Sequence, residues 1–255
     1  MDQLIDLGGM PHELDAGAGG RARIGLIVLA TDQTIEHEWR QIFHGLDGVA
    51  FYQSRIWNDV RITPETLSQM EGRLADSAAV IMPGLPLAAL AFGCTSATMV
   101  IGEEGVFAKL REARPEAKPT TPITAAFAAF RAFGARRLAV LTPYRADVNA
   151  RVRTFIEGRG YEIPAFGTFD EEDDLRAARI STRSIRDAAI ELGRDPRVEA
   201  VFVACTSLRV AEIAAKIEQA VGKPVTSSNH AMAWHVLRLA GIADRLPQWG
   251  RLFSI

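Results

Sequence analysis

The sequence predicts an α/β fold: two pseudo-symmetric lobes, each a parallel sheet flanked by helices, with the active site in the cleft between them. Three observations carry this. Apolar runs of strand length alternate with amphipathic stretches of helix length, as βα units require. The order of those segments repeats once along the 255 residues. The only two cysteines fall in the same local setting in each half, Gly93-Cys94-Thr95-Ser96 and Ala204-Cys205-Thr206-Ser207.

Residues 1–20 are Gly-rich and aperiodic, which predicts a flexible leader. Ile24 to Leu29 is a continuous apolar run, the pattern of a strand buried on both faces. A polar turn, Ala30 to Thr34, precedes a helix over Glu36 to Leu46 whose apolar stripe is Ile35, Trp39, Ile42, Phe43 and Leu46. Val49 to Ser54 reads as a second strand. Thr63-Pro64-Glu65 is a helix start, with a hydroxyl at the N-cap and proline at N1, and that helix extends through Leu74. Ala78 to Met82 is either its end or a further strand. Leu87 to Phe92 is the strand beneath Cys94, Thr95 to Met99 a turn, and Gly105 to Arg114 a helix. Lys118 to Pro122 reads as a boundary between lobes.

The second half follows the same order. An Ala-rich helix over Thr124 to Phe133 leads to a strand at Arg137 to Leu141, the turn Thr142-Pro143-Tyr144 and a helix over Ala146 to Arg159. Tyr161 to Phe166 is a strand, and the acidic run Asp170 to Asp174 a solvated face or helix start. A helix over Ser184 to Leu192, a strand at Val198 to Val203 and a helix over Arg209 to Val221 complete the lobe. Lys223 to Thr226 then leads to a final helix from Asn229 to Leu239. The first strands of the halves are offset by about 114 positions, the Cys-Thr-Ser segments by about 111 and the Lys-Pro segments by about 105. This predicts an N-terminal lobe of residues 21–120 plus 229–255 and a C-terminal lobe of residues 121–228.

Composition excludes several function classes. A net charge of -2, with scattered arginines balanced by acids, provides no footprint for nucleic acid or a membrane surface. The N-terminal stretch has no apolar core of a signal peptide, and no run reaches the length of a bilayer span. A cytoplasmic protein with free thiols is expected. No Cys/His spacing matches a metal site, so neither metal nor cofactor is expected. The expected partner is a small carboxylate or amino-acid substrate; a homo-oligomer stays open.

Ligands of parallel sheets bind at the carboxyl ends of the strands, where both Cys-Thr-Ser turns lie. A thiol at a strand-to-helix turn is expected to have a lowered pKa. Backbone N–H groups and hydroxyls of Thr95, Ser96, Thr206 and Ser207 can hold a carboxylate or enolate oxygen. One thiolate would then remove an α-proton while the opposite thiol returns one, or a thiolate would add to a double bond, permit rotation and leave. Each candidate has a plainer reading. Either cysteine alone is a small core residue, Asp32 and Tyr144 are turn residues, His230 and His235 are structural, and the tryptophans belong to core or interface.

The double Cys-Thr-Ser pattern, Ile24 to Thr34, and Thr142-Pro143-Tyr144 with Asp147 to Asn149 resemble the aspartate/glutamate racemase superfamily. The branch they are most similar to is that of maleate isomerase and arylmalonate decarboxylase. Val28 to Asp32, Gly93 to Glu104 and Ser227 to Ala231 resemble the ectoine-utilisation EutA group within it. The resemblance implies a two-lobed α/β fold and cofactor-independent chemistry beside a carboxylate. Cys94 would be nucleophile or first base and Cys205 the opposing acid/base. Thr95, Ser96, Thr206 and Ser207 would bind the substrate carboxylate, with Tyr144 donating to it. Having both cysteines implies isomerase or racemase chemistry. A malonate-type decarboxylase relying on Cys205, and a non-catalytic binding protein, are the alternatives. Where maleate isomerases carry an asparagine, this chain has Asp32, which implies a substrate with an amino or other cationic group.

Overall fold

The computed structural model describes residues 5–61 and 63–255. In the first half the order is β1 (Ala22–Leu29), α1 (Ile35–Phe43), β2 (Val49–Ile56), α2 (Pro64–Ser68), α3 (Leu74–Ala79), β3 (Ala89–Phe92), α4 (Thr95–Ile101), α5 (Glu103–Ala113), β4 (Lys118–Thr120) and α6 (Pro122–Phe133). The second half runs β5 (Arg137–Thr142), α7 (Ala146–Glu157), β6 (Glu162–Thr168), α8 (Asp174–Ala177), α9 (Thr182–Gly193), β7 (Ala200–Val203), α10 (Ala211–Val221), β8 (Val225–Ser227) and α11 (Ser228–Leu239). Two short 3-10 turns, Pro247–Trp249 and Arg251–Ser254, close the chain.

The strands form two four-stranded parallel sheets, ordered β2-β1-β3-β4 and β6-β5-β7-β8. The repeat holds at the level of register: Ile24 pairs with Ala89 as Leu138 pairs with Ala200. Central strands are apolar throughout because both faces are covered. Ile24, Leu26, Ile27 and Val28 are all fully buried, as are Leu138, Ala139 and Val140.

Helices α6 and α11 are exchanged between the sheets. α6 leaves β4 and packs on β7 and β8, while α11 leaves β8 and packs on β3 and β4. Each starts on a hydroxyl N-cap at the equivalent place, Thr121 accepting from the Thr124 N–H and Ser227 from the His230 N–H. The two helices pack on each other, with the small side chains Ala125, Ala129, Ala231 and Ala233 in one shared core cluster.

Several local expectations are corrected. Thr95 to Met99 is the start of helix α4, with Cys94 as its N-cap, and not a turn. The supposed boundary at Lys118 contains edge strand β4, and the segment after Lys223 contains β8. The helix from Pro64 breaks after Ser68, passes through a 3-10 turn at Glu71–Arg73 and resumes as α3, so Ala78 lies in a helix end. α10 starts at Ala211, two residues later than expected. Of the leader, residues 5–20 hold no helix or strand, and residues 1–4 lie outside the described residues.

Candidate active site

Cys94 lies two residues past β3 and is the N-cap of α4. Its Sγ accepts the Ala97 N–H at 3.4 Å and lies 3.8 Å from Ser96 Oγ, while its carbonyl accepts from the Thr98 hydroxyl at 2.7 Å. Gly93 is needed just before it, since a Cβ there would sit 3.0 Å from the Ile27 carbonyl oxygen.

Cys205 is built differently. It follows β7 with φ of 130°, a backbone region that favours glycine, and its Sγ accepts the Ser207 N–H at 3.4 Å. No helix starts at Cys205. The first donors of α10, the Val210 and Ala211 N–H groups, both go to Oε1 of the buried Glu38 on α1 at 2.6 Å. Asn229 donates to Glu38 Oε2 at 2.8 Å and to the Thr206 carbonyl at 2.7 Å, which fixes the second Cys-Thr-Ser segment from below.

The two motifs are joined by Ser228. Its Oγ accepts the Cys205 N–H at 3.0 Å and hydrogen-bonds Thr95 Oγ1 at 2.8 Å. Tyr144, after β5, is buried with its hydroxyl toward the Cys205 sulfur. Its turn is held by the Asn149 amide, which donates to the Tyr144 carbonyl, and by Thr142, which donates to Asn149 Oδ1.

Cys94, Thr95, Ser96, Tyr144, Cys205 and Thr206 line one cavity of about 20 Å³, room for a water or two and no more. Asn58, Asp59, Arg61, Thr66, Leu67 and Met70, from the β2–α2 connection, α2 and the residues after it, complete its wall together with Leu29 and Asp174. Two expected site residues are not on the wall. The Ser207 hydroxyl donates to Asp174 Oδ1 at 2.6 Å, and Asp32 sits behind Thr206 with Oδ1 accepting the Thr34 and Ile35 N–H groups at 2.7 and 2.9 Å.

Asp174 is the residue that the sequence reading missed most completely. The acidic run looked solvated, yet Asp174 is buried, lines the cavity and accepts hydroxyls from Thr31 of one half and Ser207 of the other. Nothing in the run separates it from its exposed neighbours. Ser228 and Arg61 were also missed. A serine opening a helix just past a strand was the available signal for Ser228; for Arg61 there was none.

The expectation of lowered thiol pKa values is overturned. Burial pushes both thiols up to about 12, against an ordinary value of 9.0, and the Asp174 carboxylate adds to the effect at each. The hydrogen bonds each sulfur receives, from Ala97 and Ser96 at Cys94 and from Tyr144 and Ser207 at Cys205, are too little to offset dehydration. Burial likewise raises Tyr144 well above the ordinary range. It raises Asp32 to about 6 and Glu38 to about 7. Among the described residues, no group of three or more His, Cys, Asp or Glu is arranged to hold a metal, and no helix is long and apolar enough to cross a membrane.

Two parallel four-stranded sheets of matching register, with a thiol from each half lining one pocket, define the class as a two-lobed α/β fold. The chain belongs to the arylmalonate decarboxylase family, whose model matches residues 61–253. It is 23% identical to the maleate isomerase of Alcaligenes faecalis over 245 residues, covering 91% of this chain and 96% of that one. It is 31% identical to the arylmalonate decarboxylase of Bordetella bronchiseptica over 137 residues, 53% of this chain and 57% of that one. Among solved structures, a cysteine-to-serine mutant of the Nocardia farcinica maleate cis-trans isomerase, with a covalently bound succinylcysteine intermediate, superposes with a TM-score of 0.83 at 23% identity. That match covers 91% of this chain and 98% of the other.

Proposed function

We propose that this protein is a cofactor-independent isomerase or racemase of a small carboxylate or amino acid, with Cys94 and Cys205 as its opposed reacting groups. The observation that carries the reading is that both thiols line one narrow pocket whose remaining wall is rich in hydroxyls. We divide the chain accordingly into lobes of residues 21–120 plus 229–255 and 121–228, with the site between them.

On binding, Thr95, Ser96 and Thr206 hold the substrate carboxylate, and Tyr144 donates to it or to a neighbouring sulfur. For inversion, the Cys94 thiolate takes the proton from the α-carbon and becomes a thiol, and the electron pair delocalises into the carboxylate. The Cys205 thiol then gives its proton to the other face and becomes a thiolate; the next turnover runs in the opposite sense or follows a proton exchange with solvent. A thiol whose pKa lies near 12 gives a strongly basic thiolate, matched to a weakly acidic C–H. For cis-trans isomerisation, the Cys94 sulfur bonds one alkene carbon while Cys205 protonates the other. Rotation about the resulting single bond and reversal of both steps give the trans product. The succinylcysteine in the Nocardia relative supports this second route. The resemblance of Ser227 to Ala231 and of Val28 to Asp32 to the ectoine-utilisation group supports an intermediate of ectoine degradation as one candidate substrate.

The test is exchange of the α-proton for deuterium in candidate acids with wild type, Cys94→Ser and Cys205→Ser. Exchange that is lost in each variant supports the reading; exchange retained in both rejects it. The family's own description favours a second reading, decarboxylation of a malonate-type acid relying on Cys205. Release of carbon dioxide that survives Cys94→Ser and not Cys205→Ser would establish that reading instead.

A further inference from the structure

The two Cys-Thr-Ser segments hold their shape by opposite means. Cys94 caps its own helix: its sulfur accepts the Ala97 N–H, and its carbonyl takes both the Thr98 N–H and the Thr98 hydroxyl. Cys205 has a strained φ of 130°, and α10 starts only at Ala211. The segment between is tied down from outside. Ser228 takes the Cys205 N–H, Asn229 donates to the Thr206 carbonyl, and the Thr34 hydroxyl donates to the Ser207 carbonyl at 2.9 Å.

Glu38, buried on α1, stands behind the Thr206 tie and holds the far end of the segment as well. Val210, the N-cap residue of α10, makes no side-chain capping bond of its own. The cap comes instead from Glu38 in the other half of the chain, whose Oε1 accepts the Val210 and Ala211 N–H groups. Its Oε2 accepts the Asn229 amide, which donates its second hydrogen to Thr206. Asn229 Oδ1 is buried without a hydrogen-bond partner, so its two acceptors alone orient that amide. The neighbouring Trp39 donates its ring N–H to the Asn229 carbonyl at 3.2 Å and ties Asn229 to α1. Burial raises the Glu38 pKa to about 7, and the Ala211, Asn229 and Val210 donors pull it back toward the anion.

We propose that Glu38 is a positioning residue for Cys205. Through the α10 cap and the Asn229 amide it sets the Thr206 carbonyl, and with it the Cys205 sulfur, while Cys94 is set independently on α4. The catalytic consequence deepens the two-thiol reading above and rests on it: Glu38 governs the reaction on the face that Cys205 serves. The positional consequence stands without that reading. Glutamine at position 38 separates the two arms. Its carbonyl oxygen can keep the Val210 and Ala211 N–H groups, which preserves the α10 cap. Its amide then points a donor at the Asn229 donor, so Asn229 turns and the Thr206 carbonyl loses its partner.

The experiment compares wild type with Glu38→Gln, Glu38→Ala and Asn229→Ala, with thermal melts to identify any variant that fails to fold. The folded proteins are treated with iodoacetamide, and labelling of each cysteine is followed by mass spectrometry. A buried thiol reacts through local opening, and one net hydrogen bond changes that equilibrium about 10-fold. Labelling of Cys205 should quicken by about 10-fold in Glu38→Gln and Asn229→Ala, and further in Glu38→Ala, with Cys94 unchanged. Acceleration that is equal at both cysteines, confined to Cys94 or absent overturns the positioning role. Exchange of the α-proton of both enantiomers of alanine and aspartate in deuterium oxide reads the catalytic consequence. Glu38→Gln should lower exchange about 100-fold for the enantiomer that depends on Cys205 and less than about 3-fold for the one that depends on Cys94. Equal loss on both enantiomers overturns that consequence. If exchange responds to neither Cys94→Ser nor Cys205→Ser, the two-thiol reading fails, and labelling still decides whether Glu38 positions Cys205.

Discussion

The hydroxyls of Thr95 and Ser228 lie 2.8 Å apart and join the two halves of the chain directly beneath the thiols. Ser228 also takes the Cys205 N–H at 3.0 Å, so one small side chain on α11 sets both the height of α4 and the strained turn at Cys205.

Replacing this link should be costly. Ser228→Ala leaves the Cys205 N–H and the Thr95 hydroxyl without their buried partner, and is expected to destabilise by about 1–3 kcal/mol. Urea unfolding measures that loss. Ser228→Thr, which restores a hydroxyl, should recover part of it, and an Ala variant as stable as wild type would contradict the assigned role.

Strain at Cys205 makes a separate prediction. At φ of 130° any residue with a Cβ is disfavoured, so Cys205→Gly should be more stable than Cys205→Ala by about 1 kcal/mol, the reverse of the usual order. Melting both variants side by side decides it. Equal stability, or a more stable alanine variant, would mean that the turn relaxes.

The thiols should be unreactive at rest. With pKa values near 12 in place of 9.0, the thiolate fraction near neutral pH is about a thousandfold below that of an ordinary cysteine. Iodoacetamide labelling followed by mass spectrometry should show both sites protected in the folded protein and labelled together on unfolding. Rapid labelling of either in the native state would count against the burial of the thiols.

Acid should unfold the protein partly through His230. It is buried between the Thr226 hydroxyl and the Trp249 carbonyl, and burial lowers its pKa from 6.5 to about 4. The unfolded chain binds the proton first. Stability from this group is therefore complete above about 6.5 and is lost as pH falls toward 4, by an amount on the order of 3 kcal/mol. The difference in stability between wild type and His230→Gln, followed across that window by urea titration, should shrink as pH falls. A constant difference would show that His230 does not titrate there. Glu38 and Asp32, whose raised pKa values act in the opposite sense, are common to both proteins and cancel in the comparison.

Sequence alone determined the repeat and the strands at its centre. β1, β3, β5 and β7 announce themselves as apolar runs because each is buried on both faces, and that burial is written into consecutive residues. The matched cysteines were legible for the same reason, as each directly ends such a run. Tertiary structure decided the rest. Strands β4 and β8 are three residues each and are strands only because β3 and β7 lie beside them. Asp174 lines the pocket, where the hydroxyls of Thr31 and Ser207, distant in sequence, converge on it. The thiol pKa values followed from dehydration by burial, and no local helix terminus could predict it. Patterns of neighbours along the chain encode burial, whereas charge and reactivity in a cleft depend on groups that only folding brings together.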